Sequence, residues 1–160
     1  FRPLVRSPRP MAAAIFDPLP MKLDELFLNR PLAQRMEFNE ERNTLYLNLG
    51  GYRVHTSADV EAVRDALQAL ASRIGRRFSA VINYDAIDIA PYMNDAWFAM
   101  ASEVERACYD HVSRYTTSAF LRLKLGTALT DRDVAPHVFE SRREATDHVL
   151  GRVGEAAAIP

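Results

Sequence analysis

The chain has 160 residues, with 20 Lys+Arg against 21 Asp+Glu, 48% hydrophobic residues and one cysteine. That is the length of one domain, with enough apolar material for a core that needs no disulfide or metal. A formal net charge of −1 gives no electrostatic reason to seek nucleic acid or an anionic membrane, and the apolar Ala12–Phe16 stretch falls far short of the ~20 residues of a membrane span.

Of the 9 prolines, Pro3, Pro8, Pro10, Pro18, Pro20 and Pro31 all fall in the first 31 residues. Proline withholds a backbone donor and pushes its predecessor to extended geometry. Residues 1–35 are therefore predicted to form an extended Pro-rich arm, with at most one short helix around Leu23–Leu28. Charge divides at the same place: residues 1–35 carry six basic and three acidic groups (+3), and residues 36–160 carry fourteen and eighteen (−4). Leu4, Val5, Ile15, Phe16 and Leu19 give the arm apolar surface that needs a partner. The sequence opens at Phe1 with no signal-peptide pattern, so it reads as a piece of a longer polypeptide. The lone Cys108 excludes a disulfide framework and suits a reducing cytoplasm.

From residue 36 the pattern changes. Thr44–Leu49 sets Leu45, Leu47 and Leu49 against Tyr46 and Asn48, the period of a strand, and Glu37–Phe38 across the polar Asn39–Asn43 turn is its antiparallel partner. Gly50–Gly51 then breaks the strand, either as a hairpin into Tyr52–His55 or, the preferred reading, as a bend straight into a helix. That helix carries Val60, Val63, Leu67, Leu70 and Ile74 on one stripe, with Ser57 as N-cap, Asp59 and Glu61 in the first turn and Gly75 after the last. Phe78–Tyr84 is apolar through Ala80–Ile82, as in a strand buried on both faces. A second helix begins near Pro91, with Met93, Trp97, Met100, Val104 and Cys108 as its stripe. Val112–Thr116 is a third strand, and Thr117 or Ser118 caps a helix carrying Phe120, Leu121, Leu123 and Leu125. Val138–Phe139 is a short final strand. Ser141 and Glu144 have the spacing of a capping box for a last, peripheral helix with a thin apolar face of Ala145, Val149 and Val153. This alternation predicts an α/β domain over residues 36–153, a sandwich of about four or five mainly parallel strands with about four helices, and a tail at 154–160.

Few residues suggest chemistry. His55, His111, His137 and His148 lie far apart and fall in no metal spacing, which favours solvated or structural roles. Cys108 sits on an apolar stripe near His111, where it reads as a small hydrophobe rather than half of a nucleophile pair. Asp85 and Asp88 follow the central strand; as a pair they could do acid–base work, and singly they could stabilise a turn or a helix start. Arg73, Arg76 and Arg77 close the first helix without the interleaved aromatics of a nucleic-acid patch. No dinucleotide, nucleotide-triphosphate or hydrolase loop motif occurs. The most site-like place is the carboxyl edge of the sheet, where open parallel sheets bind ligands. There Asn83, Tyr84 and Asp85 from one strand meet Tyr115, Thr116, Thr117 and Ser118 from its neighbour. Their hydroxyls and helix-start N–H groups could cradle an anion, and capping uses the same residue types.

The stretches LYLNLGGYRVHTSADVEAVRDAL, VINYDAIDI, SRYTTSAFLRLKLGTALTD and HVFESRREATDHV resemble, in that order, the STAS domain (sulfate transporter and anti-sigma factor antagonist) over about residues 36–153. Where anti-sigma antagonists of that family carry a phosphorylated serine in Asp-Ser-Ser-Gly, this chain has Ile89-Ala90-Pro91-Tyr92-Met93-Asn94, so no such switch is expected. A second resemblance covers the whole chain. FRPLVRSPRPMAAAIFDPLPMKL, ERNTLYLNLGGYRV, VINYD and RYTTSAFLRLKLG are similar to the C-terminal extension of bacterial acyl-CoA:acetate/3-ketoacid CoA-transferases, the propionate CoA-transferase-like group. In that family a glutamate in a Glu-x-Gly context forms the acyl and CoA thioesters, and this chain has no Glu-x-Gly. The resemblance therefore implies no catalytic residue and no cofactor here, a CoA thioester as substrate of the parent enzyme, and Phe1–Met21 as the strap leaving the catalytic domain. It implies that this catalytic domain of the same polypeptide is the partner, alongside self-association into a homo-oligomer. The expected role is packing, oligomerisation or regulation. The alternative is a STAS-like module that binds a small anion or acyl-CoA without a covalent switch.

Overall fold

The computed structural model describes residues 30–134 and 136–157, so most of the predicted arm, with its Leu23–Leu28 helix, lies outside the described residues. A 3-10 turn at Leu32–Arg35 leads into β1 (Met36–Asn39), which pairs antiparallel with β2 (Thr44–Asn48). The folded body thus begins before residue 36: Leu32 packs on the core and Arg35 is only 4% exposed.

After β2 the chain turns through Gly50 and Gly51 and forms β3 (Arg53–Val54) before α1 (Ser57–Ile74). This corrects the predicted bend straight into the helix, and β3 is not a hairpin partner of β2 either. It pairs parallel with a second two-residue strand from a later loop, and a strand that short has no periodicity to read. The N-cap of α1 is Thr56, not Ser57. Thr56 has an acid three residues on, so Asp59 N–H bonds its hydroxyl at 3.3 Å while the Asp59 carboxylate accepts the Thr56 N–H at 2.8 Å. Ser57 would face Val60, which cannot reciprocate. At the other end Gly75 adopts φ 70 and returns its N–H to the Ala71 carbonyl.

β4 (Phe78–Asn83) follows, then the short β5 (Asp88–Ile89) that pairs with β3. A 3-10 turn at Pro91–Met93 opens into α2 (Asn94–Cys108), whose predicted stripe of Trp97, Met100, Val104 and Cys108 is buried. Helix runs directly into β6 (Tyr109–Tyr115), which starts three residues before the predicted Val112 because no Gly or Pro marks the change. α3 (Ala119–Thr130), β7 (Val138–Phe139) and α4 (Arg142–Ala157) complete the described chain.

The main sheet has the order β1-β2-β4-β6-β7, parallel except at β1. The molecule is therefore an α/β protein with a mostly parallel five-stranded sheet and four α-helices among the described residues. Side chains alternate across β4: Ala80 and Ile82 join the larger core under α1, α2 and the buried face of α3, whereas Val81 meets Ala145 and Val149 of α4 on the other side. Ser113 fastens that second layer by donating to the Ala145 carbonyl at 2.6 Å. α4 is thin, as predicted, but Ala145 and Val149 are fully buried. Its capping box is displaced: Ser141 accepts from Glu144 N–H, while the Glu144 carboxylate accepts from Glu140 N–H at 3.2 Å rather than from Ser141. No helix among the described residues is long and apolar enough to cross a membrane.

Candidate functional site

Parallel pairing of β2, β4 and β6 brings their carboxyl ends, and the loops that follow, to one edge. Asn83 ends β4 half-buried and uses both ends of its amide. Its Nδ2 donates to Asn48 Oδ1 at 3.0 Å, and its Oδ1 accepts the Asp85 N–H at 2.8 Å. Asn48 Oδ1 also takes the Gly50 N–H at 2.9 Å, so close that a Cβ on Gly50 would lie 2.8 Å from that oxygen. Gly51, at φ 66, returns its N–H to the Asp85 carbonyl. Beneath this loop the buried Arg35 donates to the carbonyls of Asn48 and Gly50 at 3.2 and 2.9 Å, and its guanidinium lies 5.7 Å from the Tyr52 ring centroid.

Asp85 is the centre of the edge. One carboxylate oxygen accepts from Thr116 Oγ1 at 2.9 Å, from Thr117 N–H at 2.7 Å and from Thr117 Oγ1 at 3.0 Å. Ser118 Oγ accepts the Leu121 N–H, the N-cap of α3. Asn83, Asp85, Thr116, Thr117 and Ser118 are thus brought together as predicted, but the donors that an external anion would need at Thr116 and Thr117 are engaged by the chain's own carboxylate. The two tyrosines leave the site. Tyr84 is buried in the larger core, edge-on to Trp97 at 6.5 Å, and Tyr115 packs on the α4 side, where burial pushes its phenol pKa up. Asp88 does not work with Asp85 either: it pairs with His55 Nε2 at 2.8 Å and lies 3.6 Å from Arg53 Nε. Cys108 is buried, and that burial raises its thiol pKa, which keeps it in the unreactive protonated form.

Beside this edge lies a groove of about 210 Å³ that no sequence signal marked. Ile87, Ile89, Phe98, Leu121 and Leu125 supply its apolar lining, and Asp88, Asn94, Lys124 and Arg132 its polar lining. Its residues come from β5, α2 and α3, so it exists only after folding.

A second concavity, of about 350 Å³, sits at the opposite end of β6. It corrects the expectation that the histidines lie apart. The rings of His137 and His148 lie tilted at 42° with centroids 4.5 Å apart, the Phe139 ring centroid lies 4.9 Å from that of His148, and His111 lines the same hollow. Among the described residues no group of His, Cys, Asp or Glu could hold a metal ion. No family model, no curated protein and no solved structure matches this chain.

Proposed function

We propose that this chain is the non-catalytic C-terminal module of an acyl-CoA:acetate/3-ketoacid CoA-transferase-type enzyme, a STAS-like α/β domain preceded by an extended Pro-rich arm. Its role is to pack against the catalytic domain of the same polypeptide, to self-associate, or to regulate that domain. The sequence similarity along the whole chain motivates the reading. The observation that carries it is the outer face of α3. Phe120 and Leu123, one turn apart, are 75% and 73% exposed, although the buried face of the same helix already holds Leu125 and Leu129 in the core. Two large apolar side chains held side by side in water suit a contact surface. The carboxylates best placed for chemistry are taken up in structure, Asp85 by Thr116 and Thr117 and Asp88 by His55 and Arg53.

The test is association. A separately produced CoA-transferase catalytic domain should co-elute with this chain, and Phe120→Ser with Leu123→Ser should weaken that association or any self-association by tenfold or more, on the scale of about 1.4 kcal/mol per tenfold, without unfolding the module. Unchanged association in the double variant would remove α3 from the interface.

A second reading has its own support. The apolar groove with the exposed Lys124 at its edge suits the acyl part of an acyl-CoA, which would make the module a ligand sensor. Calorimetry with acyl-CoA and with CoA separates the two readings: binding that needs the acyl chain and fails in Leu121→Asp favours the sensor.

A further inference from the structure

The hollow at the amino-terminal end of β6 is lined by Arg77, Arg106, Arg152, His111, His137 and His148 against two carboxylates among the described residues, Glu105 and Asp110. Both carboxylates are already paired. Asp110 accepts from Arg77 at 2.9 Å, and Glu105 accepts from the almost fully buried Arg114 at 3.1 Å. Arg77 is further held by the carbonyls of Arg106 and Tyr109, so it covers the carboxyl end of α2, whose dipole would repel an anion. That leaves Arg106 and Arg152, which both line the hollow, without a carboxylate partner among the described residues. Arg106 makes one hydrogen bond, from Nε to the Ser102 carbonyl at 3.3 Å. Both arginines are exposed, and the three histidines line the same hollow.

We propose that this hollow binds a small phosphate-bearing anion, gripped by Arg106 from α2 and Arg152 from α4, with His111 and His137 beside them. Apart from Arg77, the cationic and imidazole residues of the lining come from α2, β6, the segment before β7, and α4. That suits a tetrahedral oxyanion, whose oxygens point in several directions, better than a planar carboxylate. The electrostatics agree. Burial, then the charges of Arg152 and Arg114, hold the His137 pKa below its ordinary value, with Glu105 only partly opposing them. An anion in the hollow supplies the missing negative charge, so binding should raise that pKa. By linkage the anion should then bind more tightly as pH falls through the range where His137 protonates. This site is separate from the Thr116–Thr117 edge, whose donors Asp85 has taken, and it does not depend on which parent enzyme the module serves.

The experiment follows the histidine ring protons by NMR in the whole chain. It titrates inorganic phosphate and, because its charge is constant with pH, sulfate, each at fixed ionic strength against chloride. Expected are saturable shifts of His137 and His148, with sulfate binding several-fold tighter near pH 6 than near pH 8. Arg106→Ala with Arg152→Ala should weaken binding by tenfold or more, and the single Arg152→Gln by a smaller factor, while the exposed Arg73→Ala on α1 leaves it unchanged. Should the double variant fail to fold, the single variant decides. Shifts that chloride reproduces, shifts that never saturate, or binding unaltered by loss of these arginines would each overturn the proposal.

Discussion

Asp85 ties the loop after β4 to the segment that leads into α3, because one carboxylate oxygen accepts the Thr117 N–H and the hydroxyls of Thr116 and Thr117, donors that would otherwise lack a protein partner. Asp85→Ala should therefore cost about 1–3 kcal/mol in urea denaturation, the range for orphaning partly buried donors; an unchanged midpoint would show that solvent replaces it freely. Asp59 gives the pH counterpart. Backbone N–H groups of His55 and Thr56 donate to its carboxylate and hold its pKa below the ordinary 3.8. At acid pH the folded state then binds fewer protons here than the unfolded state. Its stabilising share is complete above about pH 5 and is lost as pH falls through 3.8 toward the lower native value. Asp59→Asn should flatten that part of the acid limb of the stability curve. Parallel curves for the two proteins would contradict it.

Helices α1 and α2 were legible because their apolar residues recur over four or more turns. The capping residue was missed by one position because Thr56 and Ser57 are both good caps, and only the partner three residues on decides between them. β3 and β5 were illegible for a different reason: two residues carry no period, and each is held by pairing with the other. The C-cap at Gly75 was legible and can be checked. Nothing lies within 4 Å of a Cβ built there, so only its left-handed φ of 70 resists substitution. Gly75→Ala should cost about 1 kcal/mol, and Gly75→Asn less, because asparagine tolerates that conformation. Equal losses would point to packing instead. In α3 the two faces should respond differently. Leu129, fully buried, should lose about 2–5 kcal/mol on Leu129→Ala, whereas Phe120→Ser and Leu123→Ser should leave thermal unfolding nearly unchanged.

For the whole molecule, alternation of strand and helix was enough to predict a mainly parallel sheet, and the antiparallel β1 followed from its short turn. What sequence could not supply was proximity across elements. Arg35 reads as the end of a proline-rich arm, yet it lies under the β2 loop. His137 and His148 read as isolated, yet α4 folds back along the sheet and brings their rings together. Asn83, Asp85, Thr116, Thr117 and Ser118 meet at the carboxyl edge, but that Asp85 would take up the threonine donors depends on a side-chain rotamer no pattern encodes. We propose that the bond-making groups lie outside this module, which supplies a scaffold and a contact face. The most direct test is CoA transfer from an acyl-CoA to acetate by the purified chain alone. The predicted result is a rate no higher than the uncatalysed background, unaltered in Asp85→Asn and Asp88→Asn. Turnover above background that either substitution abolishes would contradict it.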